Sequence, residues 1–242
     1  MLKQILQRLK TRKLDHCTAV IVAAGSSSRM KGEDKLLLPL FGRTVIDRTV
    51  EAFQNCAMID EIVIVTREDL LGYMRSLCAA RAYNKVSAIV KGGETRVHSV
   101  MYGLDHVSEK TGLVAIHDGA RPLVTQDVIQ SAICGAVDFH AAAPAIPVKD
   151  TVKTAKNRMV TGTPERASLY AVQTPQVFAY DLLRGALQKA LQEELPITDD
   201  CSAVEALGMS VYLSKGSEEN LKITTPVDIL LAEAILKGRD TP

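Results

Sequence analysis

Tryptophan is absent from the sequence, and aromatic residues supply only 4% of its 242 positions. So sparse a set of rings argues against a stacking platform for single-stranded nucleic acid. Charge of one sign is missing as well: 29 Lys and Arg stand against 28 Asp and Glu, a net charge of +1. No bulk field draws the chain to nucleic acid or a membrane, so phosphate chemistry has to come from local clusters. Long hydrophobic runs are lacking too. The most apolar stretches, such as Ala19–Ala24 and Leu113–Ile116, fall far short of the roughly 20 residues that span a bilayer. The six apolar residues after the basic segment Lys3–Lys13 are likewise too few for a signal peptide.

Cysteine is scarce and scattered: Cys17, Cys56, Cys78, Cys134 and Cys201 form no CxxC pair. That excludes a zinc knuckle or redox motif and implies free thiols in a reducing cytoplasm. The five histidines show no HExxH spacing, and no Gly-x-Ser-x-Gly elbow occurs. Metalloprotease and serine-hydrolase chemistry therefore lack their parts.

Hydrophobic residues, in contrast, make up 47%, ample for a folded core and against disorder. Leu2, Ile5, Leu6 and Leu9 fall at helical spacing with Lys3, Gln4, Arg8 and Lys10 on the other face. Residues 1–17 thus form a basic extension that carries a short amphipathic helix. An accessory helix on the body or a frayed tail is the simpler reading, against a membrane-surface anchor.

From Thr18 the pattern alternates. Strands are expected at Thr18–Ala24, Glu61–Thr66, Val86–Val90, Gly112–His117 and Ala141–Val148. Helices are expected at Val45–Gln54, Leu70–Ala82, Thr95–Val107 and Thr125–Val137. Such alternation means right-handed crossovers and a mostly parallel sheet with helices on both faces, a single Rossmann-like α/β unit. The rhythm breaks at 149–173, where Thr151–Thr154 and Arg158–Thr161 flank a turn at Lys156-Asn157. This segment reads as a projecting β-arm, of the kind that packs on a neighbouring subunit. Helices at Tyr180–Glu194, Ser202–Leu207 and Val227–Leu236, with a strand at Met209–Leu213, complete the domain at about residue 240.

Open parallel sheets bind ligands beyond the carboxyl ends of their strands. The first strand is followed by AAGSSSRMKGEDK, residues 23–35. Ala23, Ala24 and Gly25 allow close backbone approach, the serines offer donors, and Arg29 and Lys35 add fixed charge, which together suit a polyphosphate. Met30 breaks the P-loop pattern, and the dinucleotide fingerprint would need glycine at 27 and 30. GGETRVHS (92–99) and HDGARP (117–122) follow the next strand ends. Asp118 is placed to hold Mg²⁺ or a ribose hydroxyl, with Arg121 three residues on to orient it; the simpler alternative is that Asp118 caps the following turn and pairs with Arg121. Asp199 and Asp200 read as a solvated helix cap.

AAGSSSRMKGEDK, GGETRVHSV, HDGARP, PVKDTVK, QTPQVF, ITDDCSAVE and NLKITTPVDI occur together and in this order. From about Thr18 to Leu236 the chain resembles the 2-C-methyl-D-erythritol 4-phosphate cytidylyltransferase family. The resemblance implies a nucleotidyltransferase that joins CTP to the sugar phosphate and releases pyrophosphate, with Mg²⁺ as cofactor and a homodimer interlocked through the arm. It further implies Arg29 and Lys35 as transition-state stabilisers, and Arg166 and Lys222 as the residues that position the sugar phosphate. Ala23, Ala24, Gly25, Gly93, Glu94, Ser99 and Asp118 fall on nucleotide contacts. Arg121, Thr151 and Thr198 fall on the substrate side, Thr151 reaching across from the neighbour. Two departures stand out. Many members have Pro-Lys-Gln where this chain has Asp34-Lys35-Leu36, and Glu94 replaces a common Asp. A ribitol-5-phosphate cytidylyltransferase shares these nucleotide loops, and a non-catalytic nucleotide-binding module is the alternative from another class. ITDDCSAVE and the paired Arg29 and Lys35 favour the first reading.

Overall fold

The structure is a computed structural model that describes residue 5, residues 15–25 and residues 34–239. Its centre is β1 (Cys17–Ala23), a β-branched and alanine-rich run buried along nearly its whole length. It pairs in parallel with β4 (Glu61–Thr66) on one side and with β6 (Leu113–Asp118) on the other. Between them in sequence lie the small hairpin β2 (Pro39–Leu40) and β3 (Arg43–Thr44), which the sequence reading missed. Phe41 and Gly42 turn it with positive φ. Beyond β4, strand β5 (Val86–Lys91) extends the parallel set.

Helices α1 (Val45–Gln54), α2 (Leu71–Arg81), α3 (Arg96–Leu104) and α4 (Gln126–Phe139) are the crossovers. Three start on threonine caps: Thr44, Thr95 and Thr125 each accept a backbone N–H through the side chain, satisfying a donor that the first turn leaves orphaned. Both faces of β1 are covered. Ala19, Ile21 and Ala23 face a core built with α1, α2 and α4. Val20 faces a second core built with Val100 and Leu104 of α3. That two-sided burial is why β1 reads as a continuous apolar run rather than an alternating one.

β7 (Ala141–Pro147) is joined along one edge by two short antiparallel strands, β10 (Tyr170–Val172) and β11 (Gln176–Ala179). β11 also pairs antiparallel with β6. β12 (Tyr212–Lys215) runs parallel along the opposite edge of β7. Among the described residues this makes an eight-stranded, mostly parallel sheet. α5 (Tyr180–Gln192), α6 (Asp200–Glu205) and α7 (Pro226–Arg239) complete the layers.

Three expectations are corrected. β8 (Thr154–Lys156) and β9 (Met159–Gly162) form the projecting hairpin, but its turn is Asn157-Arg158, both with positive φ, one residue later than read. β10, inside the expected arm, belongs to the main sheet. The last strand begins at Tyr212 rather than Met209, because Gly208 at φ +79° carries the chain round before it. The amphipathic helix expected at the N-terminus lies outside the described residues, save Ile5. That residue is helical and buried in the second core, and a Cβ on Gly185 would lie 2.4 Å from it. All five cysteines are free thiols. Among the described residues no helix is long and apolar enough to cross a membrane.

Candidate active site

The carboxyl ends of β1, β5 and β6 open on one pocket of about 450 Å³. β1 delivers Ala23, Ala24 and Gly25. The β5–α3 turn delivers Gly93 and Glu94, and the start of α3 delivers Arg96 and Ser99. β6 delivers Asp118 and Gly119, and the chain entering α7 delivers Lys222. Lys35 and Leu36 close the side. The walls come together because their residues are small. A Cβ on Gly92 would sit 2.4 Å from the Ala24 Cβ, and one on Gly119 would sit 3.0 Å from the Ala23 Cβ. Ser99, almost fully buried, accepts the Gly93 N–H at 3.1 Å and donates to the Thr95 carbonyl at 3.0 Å. It thereby fixes the glycine turn.

Asp118 is the charged centre. Lys222 Nζ lies 2.8 Å from its Oδ2, and Arg121 Nε lies 3.6 Å from the same oxygen. Burial pushes this carboxyl up, but Lys222, Arg96 and Arg121 outweigh it and hold the pKa at about 2. Arg121 also donates from Nη1 to the Asn220 carbonyl at 2.6 Å. Arg121, expected on the substrate side, does not line the pocket; its guanidinium lies against Asp118.

The Asp118 N–H donates to Thr174 Oγ1, whose hydroxyl is 3.0 Å from His117 Nδ1. His117 Nε2 is 3.3 Å from the Arg121 carbonyl. A carbonyl only accepts, so Nε2 carries the proton and Nδ1 accepts from Thr174. Complete burial lowers the His117 pKa to about 3, so it stays neutral.

Arg67, at the end of β4, forms an ion pair with Asp34 and another with Asp69, and points Nη1 at the Gly25 carbonyl from 3.5 Å. Asp34 also accepts the Leu36 N–H at 3.0 Å, shaping the turn that presents Lys35. The Asp34 carboxylate thus has work of its own beside the lysine.

Nine of the expected residues line this pocket: Ala23, Ala24, Gly25, Lys35, Gly93, Glu94, Ser99, Asp118 and Lys222. Arg29 lies outside the described residues. Arg166, Thr151 and Thr198 do not line it. Arg166 is exposed and donates to the Lys149 carbonyl, Thr151 is exposed beside the hairpin, and the Thr198 N–H donates to Ser202 Oγ.

One reading is corrected. Asp199 is a cap, accepting the Ser202 N–H at 2.9 Å, but Asp200 is wholly buried and pairs with Arg96 at 2.7 Å. Arg96 stands out in the sequence only as one member of GGETRVHS. His117, Thr174 and Asn220 stand inside the quoted motifs HDGARP, QTPQVF and NLKITTPVDI, but residue type gives them no role there.

No cluster of three or more His, Cys, Asp or Glu that could hold a metal occurs among the described residues. Asp118 is the pocket carboxylate buried at its floor, and Glu94 is at the exposed rim. An all-protein metal cage does not fit this donor set. A Mg²⁺ bound largely through a nucleotide's phosphates, with Asp118 as a protein ligand, does.

Small-residue walls, a Gly-Gly turn and converging cations at the strand ends of a Rossmann-like sheet define an α/β protein of the nucleotide-handling class. The chain belongs to the 2-C-methyl-D-erythritol 4-phosphate cytidylyltransferase family, whose model matches residues 17–238. It is 44% identical to a protein of that name from Caldanaerobacter subterraneus subsp. tengcongensis, over 91% of this chain and 98% of the other. It is 45% identical to one from Desulforamulus reducens, over 94% and 98%. The crystal structure of 4-diphosphocytidyl-2C-methyl-D-erythritol synthase from Anaerococcus prevotii superposes with a TM-score of 0.83 at 31% identity, covering 92% of this chain and 96% of that one.

Proposed function

We propose that the chain transfers the cytidylyl group of CTP to 2-C-methyl-D-erythritol 4-phosphate, giving 4-diphosphocytidyl-2-C-methyl-D-erythritol and pyrophosphate in isoprenoid biosynthesis. The observation that carries this reading is the match of nearly the whole chain to one family, with Lys35, Asp118 and Lys222 gathered in one pocket.

A phosphate oxygen of the sugar phosphate attacks the α-phosphorus of CTP. The new P–O bond forms as the bond to the β-phosphate oxygen breaks, and pyrophosphate departs opposite. The attacking group is already an anion, so no general base is needed, and catalysis reduces to positioning and charge stabilisation. In this reading Ala23–Gly25, Gly93 and Ser99 hold the cytosine and ribose by backbone and hydroxyl contacts. Lys35 and Arg29 meet the charge that develops on the α-phosphate and leaving oxygens. Lys222, with Arg166, holds the sugar phosphate. Mg²⁺, when bound, neutralises the triphosphate, with Asp118 as its protein ligand.

The β8–β9 hairpin supports a homodimer. It leaves Met159 73% and Val160 61% exposed, and a two-stranded hairpin is marginal in water by itself. A second copy would cover it and bring Thr151 to the neighbour's substrate. The free thiols suit a reducing cytoplasm.

The test is pyrophosphate release from CTP with each sugar phosphate in turn. Release with 2-C-methyl-D-erythritol 4-phosphate and little with ribitol 5-phosphate is expected. The reverse preference would overturn the assignment.

A further inference from the structure

Asp200 is 0% exposed, and its Oδ2 accepts from Arg96 Nη2 at 2.7 Å across 104 positions of sequence. Its second carboxylate oxygen is buried without a hydrogen-bond partner among the described residues. A carboxylate so placed is a poor way to stabilise a fold, since desolvation opposes the attraction and apolar replacements often do better. The other end of the pair is not buried: the Arg96 side chain is 31% exposed and lines the nucleotide pocket.

The anchor is itself held. Gln176, at the start of β11, accepts the N–H groups of Asp200 and Cys201 through Oε1 at 3.1 and 3.2 Å. Its Nε2 donates to Asp199 Oδ2 at 2.7 Å. Asp199 in turn caps α6. The short helix is thereby pinned to the sheet, and its first residue points its carboxylate at Arg96.

We propose that Asp200 is a positioning residue that holds the Arg96 guanidinium in the pocket, and that Arg96 is a further binding group for the triphosphate of CTP. The inference rests on the cytidylyltransferase reading above. A guanidinium has donors only and suits phosphate oxygens in a fork. Fixed in advance by Asp200, it needs no reorganisation when the nucleotide enters.

Steady-state kinetics with CTP and 2-C-methyl-D-erythritol 4-phosphate test this in Asp200→Asn, Arg96→Ala, the double variant and Arg96→Lys. Asp200→Asn should lower kcat/KM for CTP by roughly 10- to 100-fold, as expected when a binding group is misplaced by about an ångström, with the KM for the sugar phosphate little changed. In the Arg96→Ala background, Asp200→Asn should add less than about a 2-fold loss, because its effect runs through the missing guanidinium. Losses that multiply in the double variant, or an Asp200→Asn enzyme with wild-type kinetics, would overturn the proposal. Should Asp200→Asn fail to fold, Arg96→Lys keeps the charge but not the fork. A raised KM for CTP at an unchanged melting midpoint supports the proposal, and an unchanged KM overturns it. Wild-type turnover run alongside separates the two claims, since failure of the underlying reading abolishes pyrophosphate release in the unmodified enzyme.

Discussion

Lys222 and Asp118 meet at 2.8 Å across the floor of the pocket, one from the chain entering the last helix and the other from the end of a central strand. Asp118 is kept ionised by its cationic neighbours, and under the proposed function Lys222 has charge left over for a substrate phosphate.

Lys222 and Lys35 should therefore fail differently. In the proposed reaction Lys222 faces a charge present in the ground state, so Lys222→Ala should raise the KM of the sugar phosphate with kcat less affected. Lys35 would face charge that grows in the transition state, so Lys35→Ala should lower kcat by about 10²–10³ and leave sugar-phosphate affinity largely intact. Identical kinetic signatures for the two variants would undo this assignment of roles.

The Gly-Gly turn makes a steric prediction. A methyl at position 92 meets the Ala24 Cβ at 2.4 Å and Ser99 Oγ at 2.9 Å. Gly92→Ala must push the β5–α3 turn away from β1, and the expected outcome is weaker CTP binding, seen by calorimetric titration, in a protein that still folds. Unchanged affinity would mean that this turn does not shape the nucleotide site.

Acid should act through His117 before Asp118. The His117 pKa falls to about 3 in the fold, below its ordinary value near 6.5. The unfolded chain therefore binds more protons between these values, and stability is lost as pH falls through that window, by roughly a few kcal/mol. Asp118, depressed to about 2, has the same sign but acts only below about pH 4. His117→Gln should flatten the fall in melting temperature between pH 6.5 and 4.5 relative to wild type. An equally steep fall in the variant would place the proton uptake elsewhere.

Much of this arrangement was legible in the sequence because parallel strands announce themselves as short apolar runs, and because the glycines and cations follow those runs directly. What escaped depended on distant partners. β11 was missed because Gln176–Ala179 is four residues long and pairs with strands 35 to 66 positions away. Asp200 looked like half of a solvated acidic cap until α6 laid it against Arg96. Thr174 and Asn220 carry no charge to flag them, yet they tie the Asp118 backbone and the Arg121 neighbourhood together.

The hairpin predicts sharing between subunits. Combining an inactive Lys35→Ala chain with an inactive Thr151→Arg chain should restore activity in mixed dimers, because both lesions fall in one pocket and leave the other whole. No recovery, in mixtures shown to contain heterodimers, would mean that each chain builds its site alone.

The transfer itself is tested most directly by following atoms. Sugar phosphate carrying heavy oxygen in its phosphate is incubated with the enzyme, CTP and Mg²⁺, and both products are weighed by mass spectrometry. Attack by the sugar phosphate on the α-phosphorus leaves all of the label in 4-diphosphocytidyl-2-C-methyl-D-erythritol and none in pyrophosphate. Label in the released pyrophosphate, or an unlabelled product, would contradict direct cytidylyl transfer in this pocket.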